Sequence, residues 1–199
     1  MQPLDELFAD ALARHRAGDT EAARRAYADV LARQPGHADA LHMAGLLLHQ
    51  SGDHLEALRL LDAACVNAPS SASILANRAG VHLALGQHAA AETDARAALD
   101  ADPTSFGAAL NMGLALLGLD RRAAAAAAFA RASVLRPQDA RALLDWFSAA
   151  AQSGRASGLA ERVRSPLPAL APQRELGLRT AMQLEHNGFS NQAFAIVGV

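Results

Sequence analysis

The sequence predicts an all-α fold, a solenoid built of repeated helical units. Two observations predict it. Proline recurs at intervals of 34 residues, at Pro35, Pro69, Pro103 and Pro137. The apolar fraction is 51% and rich in alanine, whereas aromatic residues make up only 4%. Small apolar side chains favour helices that pack closely, while strands prefer aromatic and β-branched residues.

Aligning the chain on these prolines brings other positions into register. Small residues recur in two columns. A third column holds mostly bulky side chains. The columns are Ala11, Gly45, Ala79 and Gly113; Ala23, Ala57, Ala91 and Ala125; and Tyr27, Leu61, Ala95 and Phe129.

With these columns the chain resembles the tetratricopeptide repeat (TPR) proteins, whose 34-residue unit is two antiparallel helices. That family has small residues at unit positions 8, 20 and 27, a bulky one at 24 and proline at 32. The unit that begins at residue 38 matches with Gly45, Ala57, Ala64, Leu61 and Pro69. The resemblance implies a right-handed superhelix of stacked antiparallel helix pairs.

The resemblance covers residues 4–139 as four units, 4–37, 38–71, 72–105 and 106–139. Gly18, Gly52 and Gly86 fall between the two helices, where a left-handed cap suits a residue without Cβ. Each proline ends a second helix, because the residue before it is pushed out of the helical region. In the fourth unit Asp120 takes the turn position, so we expect that turn to differ.

Beyond residue 139 the pattern weakens. Residues 140–164 read as a degenerate fifth unit, and residues 165–172, with three prolines, as an extended linker. Residues 173–199 predict a C-terminal pair of helices that caps the stack and is itself a candidate degenerate repeat. Since the final residues are apolar, two interpretations stand: this tail folds back on the stack, or the natural chain continues beyond Val199.

Composition excludes several classes of function. A formal net charge of −2 gives no general attraction to nucleic acid or to a membrane surface. All 18 basic residues are arginine, so lysine-dependent phosphate loops and Schiff bases are excluded. The single Cys65 cannot form an internal disulfide. Without a secretory leader or an apolar span, a cytoplasmic protein without a cofactor is expected.

The TPR resemblance implies that positions 2, 5, 6, 9, 12 and 13 of each first helix face a concave groove. Asn77, Asn111 and Asp145 occupy position 6 of successive units. An asparagine amide both donates and accepts, so it can bind an extended peptide backbone without reading its side chains. The two asparagines look like the asparagine ladder in the repeats of O-linked N-acetylglucosamine transferases. Alternatively, asparagine is simply a tolerated polar residue there.

Histidines and leucines complete the predicted peptide-binding surface. His42 and His49 lie on one side of a helix, near His15 of the preceding unit, and a solvated groove lining is favoured over a metal site because no i, i+4 ligand pair is present. Apolar contacts would come from Leu46, Leu110 and Leu114.

The sequence raises three possible functions. The first is an interaction module that holds an extended peptide or a partner helix, with a protein or peptide as its partner. The alternative is the substrate-recruiting domain of a larger modifying enzyme, such as a glycosyltransferase, hydroxylase or sulfotransferase. Catalysis by the chain itself is disfavoured, because it contains no phosphate loop, no His-Glu-x-x-His and no nucleophile elbow. The oligomeric state is left open.

Overall fold

The computed structural model describes residues 2–136 together with residues 139, 141, 142, 145, 146, 148 and 149. Eight bounded helices and no strand occur within these residues. In chain order they are α1 (Leu4–Arg16), α2 (Thr20–Arg33), α3 (Ala38–Gln50), α4 (His54–Asn67), α5 (Ala72–Ala84), α6 (His88–Ala101), α7 (Phe106–Gly118) and α8 (Arg122–Leu135).

The helices repeat the period of the sequence. Each first helix begins 34 residues after the previous one, and so does each second helix. Capping side chains fix several of these starts. The Asp19 carboxylate accepts a hydrogen bond from the amide of Ala22 at 3.1 Å, and Asp53 accepts one from Glu56 at 3.3 Å. Such caps satisfy backbone donors that the first helical turn leaves free.

The turn inside each pair uses a left-handed residue. Gly18, Gly52 and Gly86 have φ of 78°, 89° and 72°. Asp120 adopts the same conformation in the fourth pair, with φ of 56°, and its carboxylate lies 2.7 Å from Arg122. The prediction that this turn would differ from the other three is therefore wrong. Aspartate tolerates the left-handed region better than most residues because its short polar side chain can bond locally.

The described residues divide into two compact units, the first ending at Pro103 and the second beginning at Thr104. In the first unit, α1 packs on α2, α3 on α4 and α5 on α6, and successive pairs are joined through α2 with α3 and α4 with α5. Ala11, Ala23 and Tyr27 are fully buried in one such core, with Leu47 from the next pair. An added Cβ at Gly45 would stand 3.0 Å from Leu61.

In the second unit α7 packs on α8, and the described residues 141, 142, 145, 146, 148 and 149 are helical. Phe129 is fully buried, and its ring occupies the space that a side chain at Gly113 would need. The Arg136 guanidinium lies 4.2 Å from the centre of the Phe106 ring, within the range of a cation–π contact.

These helix pairs confirm the predicted all-α solenoid of stacked antiparallel pairs. Most of the degenerate fifth unit, the linker at 165–172 and the C-terminal capping pair at 173–199 lie outside the described residues. No helix in the described part of the chain has the length and apolar character needed to cross a membrane.

One ion cluster ties three helices of the first unit together. Arg78 on α5 binds both carboxylate oxygens of Asp94 on α6, each at 2.7 Å, and reaches Asp62 on α4 at 2.9 Å. The Asp94 side chain is only 7% exposed, and His82 Nε2 lies 3.6 Å from it. The hydrogen bonds that Arg78 donates to Asp94 raise the pKa of Arg78. Burial raises the pKa of the neighbouring Cys65 thiol.

Replacing Gly113 with alanine should destabilise the second unit. The new methyl group would overlap the buried Phe129 ring, and overpacking of this kind costs about 1–3 kcal/mol. Gly107→Ala on the same helix is the matched control, because nothing lies within 4 Å of its added Cβ. Urea unfolding followed by circular dichroism should show a loss for Gly113→Ala alone. Equal midpoints for the two variants would contradict this packing.

Replacing Arg78 with alanine should cost about 2–4 kcal/mol at neutral pH, because it leaves the carboxylate of Asp94 buried without its partner. Arg59→Ala is the control, because Arg59 forms an ion pair of similar geometry with Glu56, at 2.6 Å, on the exposed face of one helix. Loss of this exposed pair should lower the free energy of unfolding by less than about 0.5 kcal/mol. Chemical denaturation of both variants measures the difference. A similar small loss for each would show that burial of Asp94 is unimportant.

Candidate functional site

The first helices of the first unit lie side by side, since α1 contacts α3 and α3 contacts α5. They form one layer of the stack, which we call the inner layer, defined as α1, α3 and α5. On it Leu46, His49 and Asn77 are half-buried, whereas His42 is only 5% exposed. Four residues predicted for peptide binding are thus found on two adjacent helices, α3 and α5.

A hydrogen bond joins two of them. The amide nitrogen of Asn77 lies 2.6 Å from Nε2 of His42. An amide NH₂ can only donate, so Nε2 is the acceptor and neutral His42 carries its proton on Nδ1. The Asn77 side chain makes no other hydrogen bond among the described residues. Its amide is therefore held by the neighbouring helix, and its carbonyl oxygen keeps its capacity to accept.

The protonation state of His42 agrees with this assignment. Burial lowers the pKa of His42, and the negative charge of Asp39 opposes that shift. The imidazole is therefore neutral at pH 7, as an acceptor at Nε2 requires. Because burial lowers the folded-state pKa of His42, the neutral imidazole contributes stability above the unfolded value of 6.5, and that stability is lost as the pH falls through the folded value.

His49 is paired across the turn that joins α3 to α4. Its Nδ1 lies 3.0 Å from Nδ1 of His54, and the two ring centres are 4.9 Å apart. Burial lowers the pKa of His49, and the nearby His54 lowers it further. A hydrogen bond between two Nδ1 atoms requires a single shared proton, so the contact is lost when both rings are charged.

The third histidine of the predicted patch, His15, has partners of its own. Its Nδ1 lies 3.1 Å from the hydroxyl of Tyr27, and its Nε2 lies 3.3 Å from Oε1 of Gln50. His15, His42 and His49 therefore each bond a different partner. Across the described ranges, no group of three or more metal-ligating side chains is arranged to hold an ion.

The remaining predicted residues belong to the second unit. Leu110, Asn111 and Leu114 are half-buried on α7. Asp145 is half-buried, and its Oδ2 atom is buried, accepts no hydrogen bond from the described residues, and lies 3.8 Å from Nε of Arg141. Burial raises the pKa of Asp145, the Arg141 charge lowers it, and Asp139 raises it. Apolar and polar groove candidates thus occur together on α7.

The contact between His42 and Asn77 was not predicted. They occupy positions 5 and 6 of successive units, and the sequence places each residue on a face without indicating which side chain of the next unit it meets. The signal that was available is their separation of 35 residues, one period plus one residue. The Arg78–Asp94 pair was also missed, because its two members are 16 residues apart on different helices.

Asn77→Asp should raise the pKa of His42, because a carboxylate at hydrogen-bond distance favours the imidazolium form. The variant should be about 1–2 kcal/mol less stable than the parent near pH 8, where the half-buried carboxylate would face the unprotonated Nε2 of His42. The deficit should shrink near pH 5.5, where the imidazolium forms. NMR titration of the His42 ring and urea unfolding at both pH values measure the two effects.

Asn67→Asp is the control for added charge, since Asn67 is exposed and bonds only the backbone of its own helix at Ala63. Its stability relative to the parent should change little between the two pH values. An unchanged His42 titration in Asn77→Asp would contradict the assigned contact.

A family model described as Tetratricopeptide repeat matches residues 8–72, 50–106 and 76–140, which together cover more than half of the chain. No curated protein matches the chain.

Several solved structures share the fold. MamA from Desulfovibrio magneticus RS-1 is 19% identical with a TM-score of 0.72, over 85% of this chain and 96% of that one. A tetratricopeptide repeat protein from Parabacteroides merdae ATCC 43184 is 20% identical with a TM-score of 0.73, over 98% and 77%. The TPR domain of Arabidopsis OM64 is 27% identical with a TM-score of 0.55, over 56% and 93%.

The family match and these folds agree with the period, the helix pairs and the small residues at their crossings. The chain belongs to the tetratricopeptide repeat family.

Proposed function

We propose that this protein is an interaction module that holds an extended peptide or a partner helix against its first helices. The observation that carries the proposal is the Asn77 amide on the inner layer. It is half-buried, oriented by His42 and left with an unused carbonyl oxygen among the described residues. An oriented amide binds a partner at lower entropic cost than a freely rotating one.

Apolar side chains supply the rest of the binding energy. A hydrogen bond contributes about 0.5–1.5 kcal/mol net, so a few amide contacts cannot hold a peptide alone. Leu46 on α3 and Phe8 and Leu12 on α1 are half-buried on the inner layer, and Leu110 and Leu114 are half-buried on α7. Burial of such side chains contributes roughly 25 cal/mol per Å². We expect micromolar affinity and a transient complex.

The partner we propose is a protein or peptide, and neither a nucleic acid nor a membrane. The formal net charge of −2 offers no general attraction to phosphate. TPR proteins are in general scaffolds without catalysis, and we propose the same for this chain. The alternative, a recruiting domain of a larger modifying enzyme, gains no support from the described residues or from the comparisons.

The double variant Asn77→Ala with Asn111→Ala should lose at least tenfold in partner capture, because it removes the two predicted amide contacts while leaving the helix crossings intact. Capture of partners from lysate by the tagged chain, read by quantitative mass spectrometry, measures this. The helical signal in circular dichroism should be unchanged, and the melting temperature should fall by no more than a few degrees.

Asn67→Ala is the matched control, since it removes an asparagine amide from α4, away from the inner layer. It should retain the proteins that the parent chain captures. If the double variant and the control recover the same proteins in the same amounts, peptide binding through these asparagines is ruled out.

A further inference from the structure

A groove of about 250 Å³ runs between α1 and α2 in the first helix pair. Apolar residues form its floor and charged residues its rim. The lining residues are Leu7, Asp10, Arg14, Ala22, Arg25, Ala26 and Asp29. We call this surface the edge groove. It is separate from the inner-layer residues His42, Leu46 and Asn77 on α3 and α5.

In the next pair part of the equivalent face is covered. The residue 34 positions after Asp10 is Ala44, which packs on the buried cluster that contains Ala26 of the preceding pair. The position equivalent to Arg14 is Leu48, and the position equivalent to Asp29 is Ala63. At three of its four charged positions, Asp10, Arg14 and Asp29, the edge groove thus carries a charge where the next pair carries an apolar residue. The fourth position, Arg25, is matched by the exposed Arg59.

The charges of the edge groove are ordered along its length. Arg14 and Arg25 are four and seven residues from Gly18 in the turn, whereas Asp10 and Asp29 are eight and eleven residues from it. With a rise of 1.5 Å per residue, the arginines lie about 6–10 Å from the turn and the aspartates about 12–16 Å. The groove is therefore basic towards the turn and acidic at its other end.

Half of these charges form no ion pair among the described residues. Arg14 lies 2.7 Å from Asp10, and both side chains are more than 40% exposed. Arg25 bonds only the backbone oxygen of Glu21, and neither Arg25 nor Asp29 forms an ion pair among the described residues. Two opposite charges therefore remain available to a partner, and the exposed Asp10–Arg14 pair can exchange partners at little cost.

We propose that the edge groove is the docking surface for a second copy of this chain. A two-fold axis that reverses the direction of the groove sets the basic end of one copy against the acidic end of the other, so the same four residues meet on both sides. Leu7, Ala22 and Ala26 form the apolar floor between them. Charge complementarity sets the orientation, because the parallel arrangement places like charges together.

The association is weak and sensitive to salt. The edge of a single helix pair is smaller than a standard interface, which buries about 1,600 Å² in total, so a transient dimer is expected. Exposed charges are screened over about 10 Å at 0.1 M salt. Raising NaCl from about 20 mM to about 0.5 M should weaken self-association at least tenfold. Sedimentation equilibrium of the full chain over a range of protein concentrations measures the dissociation constant.

Charge reversal tests the surface directly. The acidic-edge variant, Arg14→Glu with Arg25→Glu, and the basic-edge variant, Asp10→Arg with Asp29→Arg, should each be monomeric, because the two-fold now brings like charges together. An equimolar mixture of the two should form a heterodimer at least as tight as the parent dimer. Circular dichroism should confirm that each variant keeps its helices.

Arg24→Glu with Arg59→Glu is the control, since it changes the net charge by the same amount at side chains that are 62% and 66% exposed outside the groove. It should dimerise as the parent does. The proposal is overturned if the parent stays monomeric at low salt, if the acidic-edge variant still dimerises, or if the mixed variants do not associate. If the parent stays monomeric at low salt, the charged rim is only a solvated end of the stack. None of these outcomes bears on peptide capture by Asn77.

Discussion

The close approach of two helices at a small residue is the constraint on which this structure depends. Ala11 and Ala23 are fully buried at one crossing, Gly45 leaves room for Leu61 at the next, and Gly113 makes room for Phe129. A core with few aromatic residues can be dense only if backbones come close, because alanine fills little volume. The small residues therefore fix the geometry of each pair, and the left-handed turn residues allow the chain to reverse between its helices.

Repetition of this pair creates the inner layer. Since every pair has the same geometry, α1, α3 and α5 come to lie side by side, and residues at neighbouring unit positions meet across helices. The His42–Asn77 hydrogen bond results from this stacking: a buried imidazole on one helix orients an amide on the next. A surface that binds a partner needs such supported polar groups, because an oriented donor or acceptor loses little freedom when a ligand arrives.

Ionisable groups are buried and paired inside the first unit, whereas at its edge they are exposed. The carboxylate of Asp94 is buried, and Arg78 satisfies both of its oxygens. On the edge groove the charges are exposed, and Arg25 has no carboxylate partner among the described residues. Water solvates an exposed charge at little cost, whereas a buried one must be paired. The same residue types can therefore stabilise the fold at one site and remain free to meet a partner at another.

The sequence by itself determined the fold class, the 34-residue period, the small residues at the helix crossings and the glycine turns, because each of these is a local requirement written into one repeat. It also placed Leu46, Asn77 and Asn111 on first helices, since helical spacing assigns a residue to a face. Only the tertiary structure decided which side chains meet. His42 bonds Asn77, His49 bonds His54, and Asp120 supports a turn without glycine. Such contacts depend on distances of a few ångströms between helices, and a one-dimensional pattern fixes faces but not distances.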